Sequence, residues 1–201
     1  MKCLHNLILT FVLGQLIHVH VNFGQELNYE FVHEKNYYSF TGILLVGAEP
    51  DCLIDLIYNF DHISKYSSGA TSIQLIQQDE NWFDVAFIYK KLMFIENEST
   101  WRRTLSHDKR KVAFEMLSNK SNIRWIPKLI SSTGHYQITS TKNGSLVEYF
   151  QECELEHGAL QSIYIREAKK EAIQFLKIFE KYLSNNCEKT GSEKLIYLNN
   201  K

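Results

Sequence analysis

Most of the spacings that announce a particular chemistry are missing from this chain. It has no His-x-x-x-His and no Cys-x-x-Cys, and its eight histidines show no ligand spacing. A purpose-built metal site is therefore not expected, and no cofactor is implied. Gly-x-Ser-x-Gly, a phosphate loop and Gly-x-Gly-x-x-Gly are also absent, which argues against the commonest hydrolases and nucleotide enzymes while leaving other catalysis open. The formal net charge is −1 and no basic block occurs, so no nucleic acid is expected as a partner. Internal repeats and low-complexity tracts are lacking too.

What remains is the composition of a globular protein. Hydrophobic residues make up 44% and charged residues 22% of the 201 residues, enough for one domain whose core needs no metal or disulfide support. The 12 Phe, 11 Tyr and 3 Trp bring aromatics to 13%. Large rings fill sheet faces and line apolar pockets equally well, so the enrichment fits a plain core and a cavity alike.

The N-terminus reads as a leader rather than as part of the fold. Met1-Lys2 is weakly basic, Leu7 to Ile17 is apolar, and Gly24 precedes the polar Gln25-Glu26. The expectation is a secretory signal peptide over 1–24, hence a secreted or periplasmic protein, with an uncleaved membrane anchor as the alternative. Beyond it lie Cys52, Cys153 and Cys187. An odd number in an oxidising compartment allows at most one internal bridge. Cys52 opens a short helix and Cys187 follows the last one, so these two could meet; three unpaired thiols fit the spacing as well. Asn97-Glu98-Ser99, Asn119-Lys120-Ser121 and Asn143-Gly144-Ser145 match the N-glycosylation pattern, which matters only in a eukaryotic host.

From Gln25 to Asn36 the chain is a polar lead-in. Tyr37 to Val46 alternates as a strand, with Phe40, Gly42, Leu44 and Val46 on one face. Glu49-Pro50-Asp51 suits a helix start, followed by Leu53, Leu56, Ile57 and Phe60 at helical spacing. Asp61 to Gly69 is a turn-rich connector with room for another helical turn. Strands are then predicted over Thr71–Gln78, Trp82–Tyr89, Phe94–Leu105 and Lys111–Ser118. Asn119–Ile130 is irregular, and Thr133–Thr141 with Leu146–Leu155 forms a hairpin around Asn143-Gly144. Gln161 to Leu183 carries the strongest periodicity, with Ile163, Ile165, Ala168, Ala172, Ile173, Phe175, Leu176 and Phe179 on its apolar side. From Glu188 onward the residues 188–201 form a polar tail. The fold class is α+β: a curved antiparallel sheet of about seven strands gripping a long C-terminal helix, with short helical segments after the first strand.

This order of elements resembles the START-like superfamily, also called Bet v 1-like, SRPBCC or polyketide cyclase/dehydrase. Ala48-Glu49-Pro50 looks like the family's link from first strand to first helix. The stretch Asn59-Phe60-Asp61-His62-Ile63-Ser64-Lys65-Tyr66 resembles its aspartate-centred segment, and Thr71 to Ile76 its second strand. Ser132-Thr133-Gly134-His135-Tyr136 and Leu146-Val147-Glu148-Tyr149 resemble its final hairpin. The resemblance covers Tyr37 to Leu183, places a helix-grip domain over 37–187, and implies ligand carriage, lipid transfer or cyclase-type chemistry in a central cavity. The family has no universal catalytic motif, so no catalytic residue is carried over.

On the last strand, Val147, Tyr149, Gln151, Cys153 and Leu155 share a face, and Glu148, Glu152, Glu154 and Glu156 the other. The first set reads as a cavity wall or, equally, as packed core. Glu96, Glu98, Arg102 and Arg103 read as a solvated charged stripe, and so does the lysine-rich helix face, whose contact with an anionic membrane has no further support. Chosen by face and ring size, the expected ligand-binding residues are Phe83, Phe87, Phe114, Met116, Tyr136, Tyr149 and Phe175. The expected function is binding, or transport, of a hydrophobic small molecule or lipid, more in keeping with a non-enzyme. The alternatives are a cyclase/dehydrase-type enzyme, for which a cluster of His135, Tyr136 and Tyr149 would be the mark, and a protein-interaction module whose cavity has collapsed into packed core.

Overall fold

The computed structural model describes residues 27–67, 69–91, 95–121, 127–158 and 160–187. The expected leader, the residues around Trp125 and the tail from Glu188 lie outside that set, as does the side chain of Glu96.

The strands are β1 (Asn28–Glu34), β2 (Tyr37–Val46), β3 (Ser72–Gln78), β4 (Trp82–Lys91), β5 (Ile95–Leu105), β6 (Lys111–Ser121), β7 (Leu129–Thr141) and β8 (Gly144–Leu155). They form one 8-stranded antiparallel sheet in the order β1-β2-β8-β7-β6-β5-β4-β3. Helices α1 (Pro50–Tyr58) and α2 (Phe60–Tyr66) follow β2, and α3 (Gln161–Asn186) follows β8. This is a helix-grip architecture.

Strand β1 corrects the expected polar lead-in and moves the start of the fold ahead of Tyr37. It pairs with β2 in register from Asn28↔Ile43 to Glu34↔Tyr37. It is an edge strand exposed along almost its whole length, so it lacks the one-sided apolar alternation that marks a half-buried strand. What holds it is the ladder, together with Phe31 stacked on Tyr38 at 5.5 Å and Tyr29 on Phe40 at 5.9 Å. Strands β6 and β7 likewise reach further into the stretch expected to be irregular. Register shifts at Leu75/Gln77, Thr100/Trp101 and Leu129/Ser131 add local bend and twist, which a sheet needs if it is to wrap a helix.

The inner face carries the core. Phe40, Leu44, Val46, Val85, Val112, Ile138 and Val147 are buried against Leu176, Phe179 and Leu183 of α3. Close approach of α3 to β2 depends on Gly42, where an added Cβ would lie 2.7 Å from Leu176 Cδ1. Ile163 departs from the expected apolar side of α3 and is 48% exposed. Ile165, two residues on and so about 200° around the helix, is buried. Under the other end of the sheet, α1 and α2 bury Leu53, Ile54, Leu56, Ile57, Ile63 and Tyr66, and the Tyr66 hydroxyl donates to the Ile57 carbonyl at 2.9 Å.

Cys52 of α1 and Cys187, which caps α3, form a disulfide with a Cα–Cα separation of 6.0 Å, bridging 135 residues. Cys153 is free and buried. A loop that long restricts the unfolded chain strongly. Replacing both cysteines with serine (Cys52→Ser/Cys187→Ser) is expected to lower unfolding stability by about 2–5 kcal/mol, read from denaturant midpoints. An unchanged midpoint would mean that the clamp contributes nothing.

On the outer face Asp84 is almost fully buried and sits opposite Arg102 in the β4–β5 ladder. Arg102 Nε donates to Oδ1 at 2.8 Å and Nη2 to Oδ2 at 3.0 Å, while Gln77 Nε2 donates to Oδ2 at 2.6 Å. The Arg102 guanidinium also lies 4.0 Å from the Trp82 ring. The Arg102 hydrogen bonds hold the Asp84 carboxyl below the usual carboxylate range, with burial opposing them. A depressed folded-state pKa gives stability that is complete above the unfolded value of about 4 and is lost as pH falls through the folded one. Asp84→Asn should therefore flatten the acid limb of a plot of urea midpoint against pH; an unaltered limb would assign the acid sensitivity elsewhere.

Candidate ligand cavity

Between the inner face of the sheet and α3 lies a cavity of about 550 Å³. Its floor is aromatic. Tyr38 and Phe40 come from β2, Phe87 and Tyr89 from β4, Trp101 and Arg103 from β5, Phe114 from β6, Tyr136 from β7, and Tyr149 and Gln151 from β8. Tyr164, Ala168, Ala172 and Phe175 of α3 form the roof, and Glu167, Glu171, Ser67 and Gly69 complete the lining. Strand alternation explains the membership: each strand contributes residues of one parity, the parity that faces the helix.

Phe114 packs among three other rings. Its centroid is 5.5 Å from Tyr136, 5.9 Å from Tyr149 and 6.0 Å from Trp101. Tyr149 in turn meets Phe175 at 5.0 Å and Tyr136 at 5.1 Å. These are separations at which rings attract beyond simple burial. Phe114 can approach β7 this closely only because residue 134 is glycine: a Cβ there would overlap Phe114 Cζ and the Phe150 carbonyl oxygen.

Polar groups in the wall are held in order. The Tyr149 hydroxyl donates to Gln151 Oε1 at 2.6 Å, and Gln151 Nε2 donates to Ser132 Oγ at 3.0 Å. Ser132 Oγ donates to the Glu152 carbonyl at 2.9 Å and lies 3.2 Å from Cys153 Sγ. Burial pushes the Cys153 thiol up, so it stays protonated and is a poor nucleophile. The cavity tyrosines are pushed up as well, chiefly by burial: Tyr89 and Tyr164 to about 12, Tyr149 and Tyr38 further. At neutral pH they are phenols, able to donate hydrogen bonds but poorly suited to proton transfer.

The sequence-predicted residues separate into two groups. Phe87, Phe114, Tyr136, Tyr149 and Phe175 meet on the cavity wall. Phe83 does not: it is buried under the short helices, 5.2 Å from Tyr58 and 6.4 Å from Phe60. Met116 is also absent from the lining; it lies beside the β5–β6 register shift, paired with Trp101. Both have the right parity, but parity fixes the face of a sheet and not the position along it. His135, whose association with Tyr136 and Tyr149 would mark an enzyme, points the other way, 3.2 Å from Glu148 Oε1 and packed on Phe150. Among the described residues the lining contains no histidine.

Arg103 corrects the charged-stripe reading. Arg102 faces outward to Asp84, so Arg103 faces inward, 5% exposed, with Nη2 donating to the Ile57 carbonyl at 2.7 Å. Its guanidinium lies 5.2 Å from the Tyr136 ring. The alternation that placed Glu98 and Arg102 on one face already implied the opposite face for Arg103. Tyr38, Tyr89, Tyr164 and Trp101 also line the cavity and are not among the expected residues, although Tyr38 shares the parity of Phe40 and Tyr89 that of Phe87.

No family model matches the chain, and no curated protein matches it. Solved structures do. The di-domain aromatase/cyclase BexL, from the BE-7585A biosynthetic pathway, aligns with TM-score 0.59 and 10% identity over 77% of this chain. A STAR-related lipid transfer protein from Xanthomonas axonopodis aligns with TM-score 0.55 and 8% identity, over 77% of this chain and 98% of that one. Ara h 8.0201 aligns with TM-score 0.56 and 10% identity, over 75% and 99%. The chain has the START/Bet v 1-like fold. It spans about half of the di-domain protein, 51%. At these identities the START/Bet v 1-like likeness is one of backbone course alone, so the residues of the cavity are this chain's own.

Gly134→Ala tests the ring packing of this START/Bet v 1-like cavity. The added methyl meets backbone as well as Phe114, and a drop of about 1–3 kcal/mol is expected in thermal or denaturant unfolding. Unchanged stability would mean that Phe114 does not pack against β7.

Proposed function

We propose that this protein binds a hydrophobic small molecule or lipid in the cavity between the sheet and α3. The observation that carries the reading is the cavity itself: about 550 Å³ walled by aromatic side chains falls within the size and chemistry of small-molecule sites. A cavity of that size also weighs against a core collapsed into a mere interaction module. The names of its structural neighbours support the reading further, since one is a lipid transfer protein and another an aromatase/cyclase.

Burial supplies the affinity. Removing roughly 400 Å² of apolar ligand surface from water contributes on the order of 10 kcal/mol, and the cost of association leaves an affinity about micromolar. Buried phenols and the Gln151 amide add direction rather than strength. Binding rather than turnover is the reading we adopt, because burial pushes the lining phenols away from neutral pH. The reading extends to location: the apolar Leu7–Ile17 stretch and the Cys52–Cys187 bond support a secreted or periplasmic protein, because such bonds persist in oxidising compartments.

Native mass spectrometry of the protein from its natural source, followed by organic extraction, tests this reading. A bound hydrophobic mass, or uptake of one from a lipid extract, is the expected result. A clean protein mass with no uptake would sink it. Phe87→Asp places a carboxylate on the wall and should weaken uptake by about tenfold or more without unfolding the sheet, since burying an unpaired charge opposes filling the site; circular dichroism checks the fold.

A further inference from the structure

Within the aromatic wall stands a buried cation that pairs with no carboxylate among the described residues and keeps one donor, Nε, without a partner. Arg103 is 5% exposed and lines the cavity. A guanidinium carries five N–H donors and remains charged at any ordinary pH. Nη2 donates to the Ile57 carbonyl at 2.7 Å and the Tyr66 and Tyr136 hydroxyls lie within reach of the guanidinium, while Nε is buried with no hydrogen-bond partner. Among the described residues no carboxylate forms an ion pair with it. Asp84, the buried acid of the neighbouring strand, is committed to Arg102 on the opposite face.

A desolvated charge without a counter-ion is costly, and a partner that supplies one binds with corresponding advantage. The other charges on the lining are negative and differently placed. Glu167 and Glu171 belong to the exposed side of α3, and Glu167 is already engaged by Lys170 at 2.9 Å and Arg166 at 3.4 Å. The cavity therefore has acid at an exposed part of its lining and a cation in its buried part, with rings between. That layout favours a ligand whose negative end is inside.

We infer that the ligand is an amphipathic organic acid whose carboxylate meets the Arg103 guanidinium while its apolar body fills the aromatic cavity. The inference rests on the ligand-binding reading above and adds the chemical class. A planar guanidinium matches a carboxylate in shape as well as charge. Tyr136, against which Arg103 lies, supports the guanidinium on its ring face.

The experiment is displacement of the neutral fluorophore N-phenyl-1-naphthylamine by oleate and by oleyl alcohol, which share a chain and differ in the charged end. Wild-type protein is expected to bind oleate at least about tenfold more tightly, the value of a charge-assisted hydrogen bond. Arg103→Met should erase that preference while keeping the alcohol's affinity, and Arg103→Lys should keep part of it. If Arg103 serves only to tie β5 to the end of α1, both variants lose stability and the acid preference of any folded variant is unchanged, which overturns the inference. Equal affinity for acid and alcohol in the wild type also overturns it and leaves the cavity reading standing. Binding of neither, with no fluorophore uptake, removes both. The wild-type ratio decides the matter even if Arg103→Met does not fold.

Discussion

A single helix cannot cover an eight-stranded sheet. Strands stand about 4.8 Å apart, so such a sheet is roughly 35–40 Å across, while a helix with its side chains is about 10–12 Å wide. Every inner-facing side chain that α3 does not reach must be buried by something else or remain in contact with water. The fold meets this demand in parts. Curvature brings the far strands towards the helix, α1 and α2 cover the end where Phe83 lies, and the cavity occupies what is left.

The close contacts are distributed accordingly. At Gly42 the helix comes down onto β2 through Leu176, and at Gly134 the Phe114 ring comes down onto β7. Both glycines are places where the absence of a side chain, rather than a special backbone angle, permits the packing. The disulfide joins α1 to the end of α3, so the covering helices are linked covalently as well as by apolar contact. Leu183, Phe179 and Leu176 are fully buried, whereas the earlier part of α3 spans the cavity with Tyr164, Ala168 and Ala172. Small residues there leave the space that larger ones would fill.

The polar groups inside obey a consistent logic. Ser132, Gln151 and Tyr149 satisfy one another in a chain of hydrogen bonds, so their burial costs little. Asp84 and Arg102 do the same on the outer face. Arg103 is the exception, held by a carbonyl and by tyrosines but by no counter-ion among the described residues. Buried groups left short of partners are where a structure most often meets a ligand.

Periodicity by itself determined a good deal of this protein. Alternation in Tyr37–Val46 and Leu146–Leu155, the Pro50 helix start and the apolar spacing of Gln161–Leu183 are local properties, and they gave the α+β class and the inward faces. Strand β1 was illegible because an edge strand exposes both faces and carries no stripe. The Cys52–Cys187 pairing was only one of the readings that spacing allowed, and which of the inward residues bound a cavity was not encoded in spacing at all. Phe83 and Phe87 share parity and chemistry, yet one packs under the short helices and the other lines the space. Arg103 was hidden for a related reason: a charge next to Arg102 looks solvated until the sheet turns it inward. Side-chain direction follows from the chain's own two-residue repeat, whereas the presence of empty space depends on how far a helix of given width reaches across a sheet of given curvature, which only the assembled tertiary structure decides.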